Sequence, residues 1–323
     1  MKGIKIISTG HALPKKCLTN EALSQFVDTN DEWITTRTGI KTRYQCEEET
    51  CDELAISAAK QAVEQAGIDK NRIGAVICAT STPDHIFPSV ACLVQQALEL
   101  PEDVAAFDIA AACTGFLYSM QIAHGFVNTM GNSIEKPYIL AIGCERLSRI
   151  LDYTDRTTCI LFGDGAGAAV IEATDTPYYQ KSYSRGNLEV LNCKGVGYED
   201  GHLHMKGNDV FKFAVKALEQ GICDVVEKSD TSLDQLDLIL CHQANARIID
   251  HVKKKYPQYA DKFFMNIEKY GNTSAASIPI ALDEWRKGIL EQGLAQAGES
   301  KRVLCVGFGA GLTWSASIVE VVI

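Results

Sequence analysis

A cysteine at position 113 stands where an apolar, strand-like run, Val104-Ala-Ala-Phe-Asp-Ile-Ala-Ala-Ala, gives way to a helix-like one, Thr114-Gly-Phe. A thiol at such a helix N-terminus meets unpaired N–H groups and the positive end of the helix dipole, which favour a thiolate. A thiolate attacks acyl groups, whereas a thiol barely does. The chain has twelve cysteines. They are scattered with no Cys-x-x-Cys pair, which excludes a zinc ribbon or a thioredoxin-type redox pair. Cys78, Cys92, Cys144, Cys159 and Cys305 sit in apolar segments and read as small hydrophobes. Cys113 differs from them in its strand-to-helix context.

Two further residues could partner such a nucleophile. His242 follows the buried strand Leu238-Ile-Leu-Cys241 and opens a new helix. It reads either as a structural histidine satisfied by backbone or as a site group. Asn272 opens the small-residue run Asn272-Thr-Ser-Ala-Ala-Ser277. Its carbonyl could cap the helix that follows, or its amide could donate to a ligand oxygen. Gly163-Asp-Gly-Ala-Gly167 and Gly307-Phe-Gly-Ala-Gly311 resemble nucleotide-binding turns only superficially. The first leads into a strand and the second into the chain end, with no acidic residue at the required distance. The second loop could offer a backbone N–H to an oxyanion. His202-Leu-His204 could be a metal pair, but no third ligand is apparent.

The chain is acidic, with a net charge of −10, so it lacks the basic footprint of a nucleic-acid binder. Its cations are unevenly placed. Arg247, Lys253, Lys254 and Lys255 follow His242 closely, and Arg247 and Lys254 share a helix face. Lys212 follows Gly207-Asn-Asp-Val-Phe211, and Trp33 and Arg37 lie in Asp31-Glu-Trp-Ile-Thr-Thr-Arg37. These charges form either a solvated face or a patch for an acidic or phosphorylated partner.

The elements that position these residues repeat. A helix over about 52–66 precedes the strand Ile73-Gly-Ala-Val-Ile-Cys78, and a helix over about 208–228 precedes the strand Leu236-Asp-Leu-Ile-Leu-Cys241. Cys159–Glu172 and Val303–Glu320 each read as strand, glycine turn, strand. A duplicated unit follows, with residues 1–172 and 173–323 as the two halves. Strands alternating with helices predict mainly parallel sheets covered by helices, and a closing hairpin in each half makes them mixed. Sites in such layouts form beyond the carboxyl ends of strands, where Cys113, His242 and the last glycine loop all lie. At 323 residues and 46% hydrophobic content the chain can bury a large core. No apolar run suits a membrane span, and the N-terminus reads as a first strand rather than a signal peptide, which predicts a cytoplasmic protein with free thiols.

These segments resemble the β-ketoacyl-acyl-carrier-protein synthase III family. The likeness is carried by Glu32-Trp-Ile-Thr-Thr-Arg-Thr-Gly-Ile40, Ala112-Cys-Thr-Gly-Phe116, Phe162-Gly-Asp-Gly-Ala-Gly-Ala168, His242-Gln-Ala-Asn245, Gly271-Asn-Thr-Ser-Ala-Ala-Ser277 and Gly307-Phe-Gly-Ala-Gly311. All occur in the family's order. The resemblance implies the thiolase fold, a five-layered αβαβα protein of two similar halves with mixed sheets, as a homodimer. It implies a Cys-His-Asn triad at Cys113, His242 and Asn272, with an oxyanion hole from the backbone N–H groups of Cys113 and Ala310. It implies coenzyme A contacts from Trp33, Arg37, Arg149, Phe211 and Asn245. Acyl carrier protein would dock on Lys212, Arg247, Lys254 and Lys255, and Phe87 would cross the dimer interface to close the partner's acyl pocket. The implied reaction is condensation of a short acyl-CoA, acetyl-CoA first, with malonyl-acyl carrier protein, and it needs neither metal nor cofactor.

Other readings are weaker. A related acyltransferase of secondary metabolism would use the same triad with a different donor or acceptor. A nicotinamide-dependent dehydrogenase rests on the glycine loops alone, whose context is wrong. A non-catalytic scaffold predicts a broken triad, and the triad is intact.

Overall fold

The computed structural model describes residues 2–129, 135–195 and 198–323. Its framework is a nine-stranded sheet. The strands are β1 (Gly3–Ala12), β2 (Ile73–Ala79), β3 (Ala105–Ile109), β4 (Tyr138–Glu145), β5 (Gly165–Thr174), β6 (Tyr179–Asn187), β7 (Leu238–Cys241), β8 (Ser300–Gly309) and β9 (Gly311–Val322). The helices that matter for the site are α1 (Asp31–Thr38), α2 (Cys51–Ala66), α3 (Gly115–Thr129), α4 (Gly207–Ser229), α5 (Ala246–Lys253) and α6 (Ser277–Glu291).

Strand pairing follows one pattern twice. β2 runs parallel to β4, β4 antiparallel to β5, and β5 antiparallel to β1. In the same way β7 runs parallel to β8, β8 antiparallel to β9, and β9 antiparallel to β6. β3 adds in parallel beside β2, and a parallel bridge from Ile239 to Phe263 occupies the matching place beside β7. A short parallel contact, Lys5 with Glu320 and Ile6 with Val321, joins the two sets.

Alternating side chains sort the layers. Ala75 and Ile77 of β2, like Leu238 and Leu240 of β7, face a shared core with Phe116 and Met120 of α3 and Ile278 and Leu282 of α6. Val76 and Cys78 face α2 on one outer side. Ile239 and Cys241 face α4 and α5 on the other. Both faces of these strands are apolar, as central strands covered on both sides require. The result is the five-layered αβαβα thiolase fold, with α3 and α6 in the middle.

Local chemistry sets the element ends. Thr50 and Glu53 form a reciprocal capping box on α2, worth about 1 kcal/mol. Asn30 caps α1 by accepting from Trp33 N, and Gly39 ends it in the left-handed region at φ 77°. α5 opens at Ala246 rather than at His242, because Asn245 takes the cap and accepts from Arg247 N at 2.9 Å.

One expectation fails. Cys159–Leu161 is not the first strand of a hairpin: it lies in a run of turns. Asp155 ties that backbone down through Thr157 and Thr158, and Phe162 bridges to Asn272 instead. β5 therefore closes the first set of strands against β4, from which it is separated by a long irregular connection.

Candidate active site

The central helices α3 and α6 both start from strained turns. Ala112, directly before Cys113, has φ 45°, and Ser274 has φ 49°. Left-handed backbone at a residue with a Cβ costs about 1–3 kcal/mol and persists where surrounding structure enforces it. A three-residue 3₁₀ turn follows each start, and fifteen-residue helices continue from them. Cys113 sits in the first turn. Two close approaches press the turns into place. A Cβ on Gly143 would lie 2.2 Å from Ala275 O, and one on Gly309 would lie 3.0 Å from Cys113 N. Only glycine lets β4 come this near, and the β8 contact is tight as well.

Cys113, His242 and Asn272 line one cavity of about 710 Å³, within the usual range for ligand sites. His242 is buried, and its N–H donates to Val306 O at 2.8 Å. Its Nδ1 lies 2.6 Å from Ser277 Oγ, while Nε2 is buried without a protein partner. Ser277 Oγ also accepts from Gln243 N–H, and its one proton can be donated to Nδ1. With the Ser277 hydroxyl donating to Nδ1, the imidazole proton sits on Nε2. Burial holds the His242 pKa down at about 3, so the ring is neutral.

Asn272 is pinned at its backbone, donating to Leu161 O at 2.8 Å and accepting from Gly163 N at 3.0 Å. Its Oδ1 accepts from Ser274 N at 2.8 Å. The oxygen caps the turn, which leaves Nδ2 as the donor on the cavity side. The two uses of this side chain weighed from the sequence are thus compatible.

Two opposing influences act on the Cys113 thiol at the start of the α3 turn. Burial pushes its pKa up to about 12. A hydrogen bond from the Ser274 side chain pulls it down and the Glu145 charge pushes it up again. Cys113 is only part-buried and lines the cavity, so burial and the helix end act on this thiol in opposite directions.

Trp33, Arg37, Phe211, Lys212, Asn245 and Arg247 line the same cavity. Asn245 Nδ2 donates to Arg37 O at 3.1 Å, so its amide links α5 to α1. Arg37 and Arg156 both stand over the Trp33 ring, at 4.4 and 5.1 Å from its centre. Arg149 is elsewhere: it donates to Pro83 O and Asp84 and lines no part of the cavity. Arg156 is the cation that the sequence reading missed, and its signal was proximity in the Asp-Arg-Thr-Thr turn that carries Thr157 to the cavity.

Ala310 occupies the reversal between β8 and β9, but Gly309 is the lining residue of that loop. Thr313 Oγ1 fixes the reversal by donating to Ala310 O at 3.0 Å and contacting Thr114 Oγ1 at 2.8 Å. Lys254 and Lys255 lie at the end of α5 outside the cavity, and Lys255 pairs with Glu219 at 2.5 Å. Phe87 is 84% exposed. His202 and His204 both lean on Asp200. Among the described residues no group of three or more His, Cys, Asp or Glu is arranged to hold a metal, and no helix is long and apolar enough to cross a membrane.

Known proteins with this arrangement are numerous. Residues 107–185 match the family described as 3-oxoacyl-[acyl-carrier-protein] synthase III, and residues 226–321 match its C-terminal part. The β-ketoacyl-[acyl-carrier-protein] synthase III of Campylobacter fetus is 44% identical over 99% of both chains. The crystal structure of the Aquifex aeolicus synthase III is 43% identical with a TM-score of 0.87, covering 98% of this chain and 99% of that one. That of the Pseudomonas aeruginosa enzyme is 33% identical with a TM-score of 0.89 over 99% of both. The chain belongs to the β-ketoacyl-[acyl-carrier-protein] synthase III family of condensing acyltransferases.

Proposed function

We propose that this protein condenses a short acyl-CoA primer, acetyl-CoA first, with malonyl-acyl carrier protein. The products are 3-oxoacyl-acyl carrier protein, CoA and carbon dioxide, and the reaction starts fatty acid synthesis. The observation that carries this reading is the convergence of Cys113, neutral His242 with an unpartnered Nε2, and the Asn272 amide in one cavity.

Cys113 sulfur attacks the acyl-CoA carbonyl, and the carbon–sulfur bond to CoA breaks. The oxyanion formed on the way is held by the N–H groups of Cys113 and Ala310. Malonyl-acyl carrier protein then enters. His242 Nε2–H and Asn272 Nδ2–H donate to its thioester oxygen, so negative charge gathers there as the carboxylate leaves as carbon dioxide. A neutral histidine suits this task because it offers a proton without surrendering it. The enolate carbon attacks the Cys113 thioester, a carbon–carbon bond forms, and the sulfur is released.

Trp33, bracketed by Arg37 and Arg156, suits a flat adenine ring, and Phe211 and Asn245 suit the pantetheine arm. Lys212, Arg247 and Lys254 suit the acidic carrier protein. We read the protein as a cytoplasmic homodimer in which Phe87 enters the partner's acyl pocket. The exposure of Phe87 and Ile86 in the single chain supports this, as do cysteines that are all free. Two similar halves, residues 1–172 and 173–323, are part of the same reading, supported by the repeated strand pairing.

The test is product formation. Acetyl-CoA and malonyl-acyl carrier protein should yield 3-oxobutyryl-acyl carrier protein, and Cys113→Ala should yield none. Turnover of acetyl-CoA only with malonyl-CoA as acceptor would overturn the assignment.

A further inference from the structure

Arg43 is a buried cation that the chemistry above leaves unused. It lies in the short strand Thr42–Gln45, which pairs with Lys16–Thr19, and it is 2% exposed. Its guanidinium donates to neutral oxygens, and among the described residues no carboxylate accepts from it directly. Nη1 donates to Leu18 O at 3.3 Å and to Asn20 Oδ1 at 2.8 Å, and Nη2 donates to Ile160 O at 2.8 Å. Nε is buried without a partner. Burial pulls the pKa down to about 10, against a smaller upward push from Cys159, so the group stays charged at neutral pH. A buried charge is costly unless its surroundings engage it, so these acceptors are held firmly in place.

Asn20 is buried too, and its amide has one allowed orientation. Oδ1 faces the guanidinium, which only donates, and Nδ2 faces Ile40 O, which only accepts, at 2.7 Å. Nδ2 also donates to Asp31 Oδ1 at 2.8 Å. Asp31 opens α1, the helix that carries Trp33 and Arg37, and Ile40 follows its end. One amide therefore stands between the Arg43 cation and the Asp31 carboxylate.

The other arm ends on Asn272. Its N–H donates to Leu161 O and its C=O accepts from Gly163 N, so residues 161–163 set its backbone. That segment lies in turns and irregular backbone apart from the Phe162 bridge, so no ladder of strand hydrogen bonds fixes it. Arg43 Nη2 grips its start at Ile160 O, and Tyr44 O grips its end by accepting from Asp164 N at 2.8 Å. The Arg43 stem packs between the two sides of the bridge. A Cβ on Gly163 would lie 3.1 Å from Arg43 Cβ, and one on Gly271, directly before Asn272, would lie 3.3 Å from it.

We propose that Arg43 is a positioning residue for the condensation: its guanidinium, oriented by Asn20, sets the backbone of residues 160–163 that holds Asn272 and ties that backbone to helix α1. Arg43 lines no part of the cavity and acts through Asn272. The inference rests on the reading of Asn272 as a donor to the malonyl thioester. A misplaced amide weakens that hydrogen bond as the enolate charge develops, so the loss falls on decarboxylation rather than on acylation of Cys113. A lysine at this position keeps the charge but lacks the planar fork, so it cannot reproduce the contacts to Asn20 and Ile160 O in the same geometry.

Half-reactions of the full chain, measured separately, test this role. In Arg43→Lys, decarboxylation of malonyl-acyl carrier protein by acylated enzyme should slow roughly tenfold in kcat with KM unchanged. Loading of Cys113 at saturating acetyl-CoA should keep the wild-type rate. Combined with Asn272→Ala, Arg43→Lys should add no further loss, because nothing is left for it to position. A side chain that only stabilised the fold would give losses that add. Asn20→Ala removes the acceptor that orients the guanidinium. It should give the same pattern at smaller amplitude, with a several-fold rise in KM for acetyl-CoA through α1. Wild-type decarboxylation in Arg43→Lys, equal slowing of both half-reactions, or additive losses in the double variant would overturn the proposal. Were Arg43→Lys not to fold, Asn20→Ala with and without Asn272→Ala decides by the same criteria. A wild type that fails to decarboxylate malonyl-acyl carrier protein would overturn the functional reading and this role with it. Normal wild-type turnover alongside any of the three contrary results overturns the role alone.

Discussion

Ser277 Oγ lies 2.6 Å from His242 Nδ1 and receives Gln243 N–H, and a hydroxyl proton donated to Nδ1 keeps the imidazole proton on Nε2. Ser277 opens helix α6, and His242 follows strand β7. A contact between two elements thus decides what the histidine can donate. Ser277→Ala should leave acylation of Cys113 intact and slow decarboxylation of malonyl-acyl carrier protein roughly tenfold or more, with the loss in kcat rather than KM. Half-reactions measured separately will show this.

Arg156 and Arg149 are predicted to separate cleanly. Arg156 stands over the Trp33 ring, whereas Arg149 is tied to Asp84 and Pro83 O. Arg156→Ala should raise KM for acetyl-CoA about tenfold, in line with the loss of a cation stacked on a flat ring. Arg149→Ala should leave that KM unchanged. Steady-state kinetics with varied acetyl-CoA distinguishes the two.

The lysines at the end of α5 differ in availability. Lys255 is paired with Glu219, while Lys254 is exposed with no ion-pair partner among the described residues. Lys254→Glu should raise KM for the carrier-linked substrate several-fold at low salt, fade at high salt, and spare acyl-CoA loading. Lys212→Glu should impair both substrates, because Lys212 lines the cavity itself.

Acid should unfold the protein through two groups. Burial alone would raise the Asp283 pKa, but His11, Lys287 and Thr9 outweigh it and hold it at about 2. A depressed carboxyl pKa gives stability that is present above the unfolded value near 3.8 and is lost as pH falls through the folded one. That amounts to about 2 kcal/mol. His242, held down at about 3, is buried neutral, so the unfolded chain binds the extra proton between pH 6.5 and 3 and stability falls across that window as well. Glu145, held up by burial at about 7, takes its proton first in the folded state and offsets His242 down to about pH 4.5, so Tm measured against pH should fall mainly below that value. His242→Gln should flatten the upper part of the decline, and Asp283→Asn the lower part.

Much of the fold was legible because strands covered on both faces are apolar throughout and helices between them are long. Cys113, His242 and Asn272 were visible because each follows a strand or opens a small-residue turn. Glu145 stands in the same position, at the exit of an apolar strand, but its contact with Ser274 joins distant parts of the chain and is a tertiary fact. Arg156 was passed over for Arg149 because stacking on Trp33 is a tertiary fact that no local spacing encodes. The Cys159–Leu161 segment looked like a strand because its apolar residues are buried, yet Asp155 holds it in turns.

The proposed chemistry depends on Cys113 as the carrier of the acyl group. Intact-protein mass spectrometry with peptide mapping after brief exposure to acetyl-CoA measures it directly. The account predicts one acetyl group per chain, on Cys113, discharged as 3-oxobutyryl-acyl carrier protein when malonyl-acyl carrier protein is added. An acetyl group on any other residue, or equal labelling of Cys113→Ala, would contradict it.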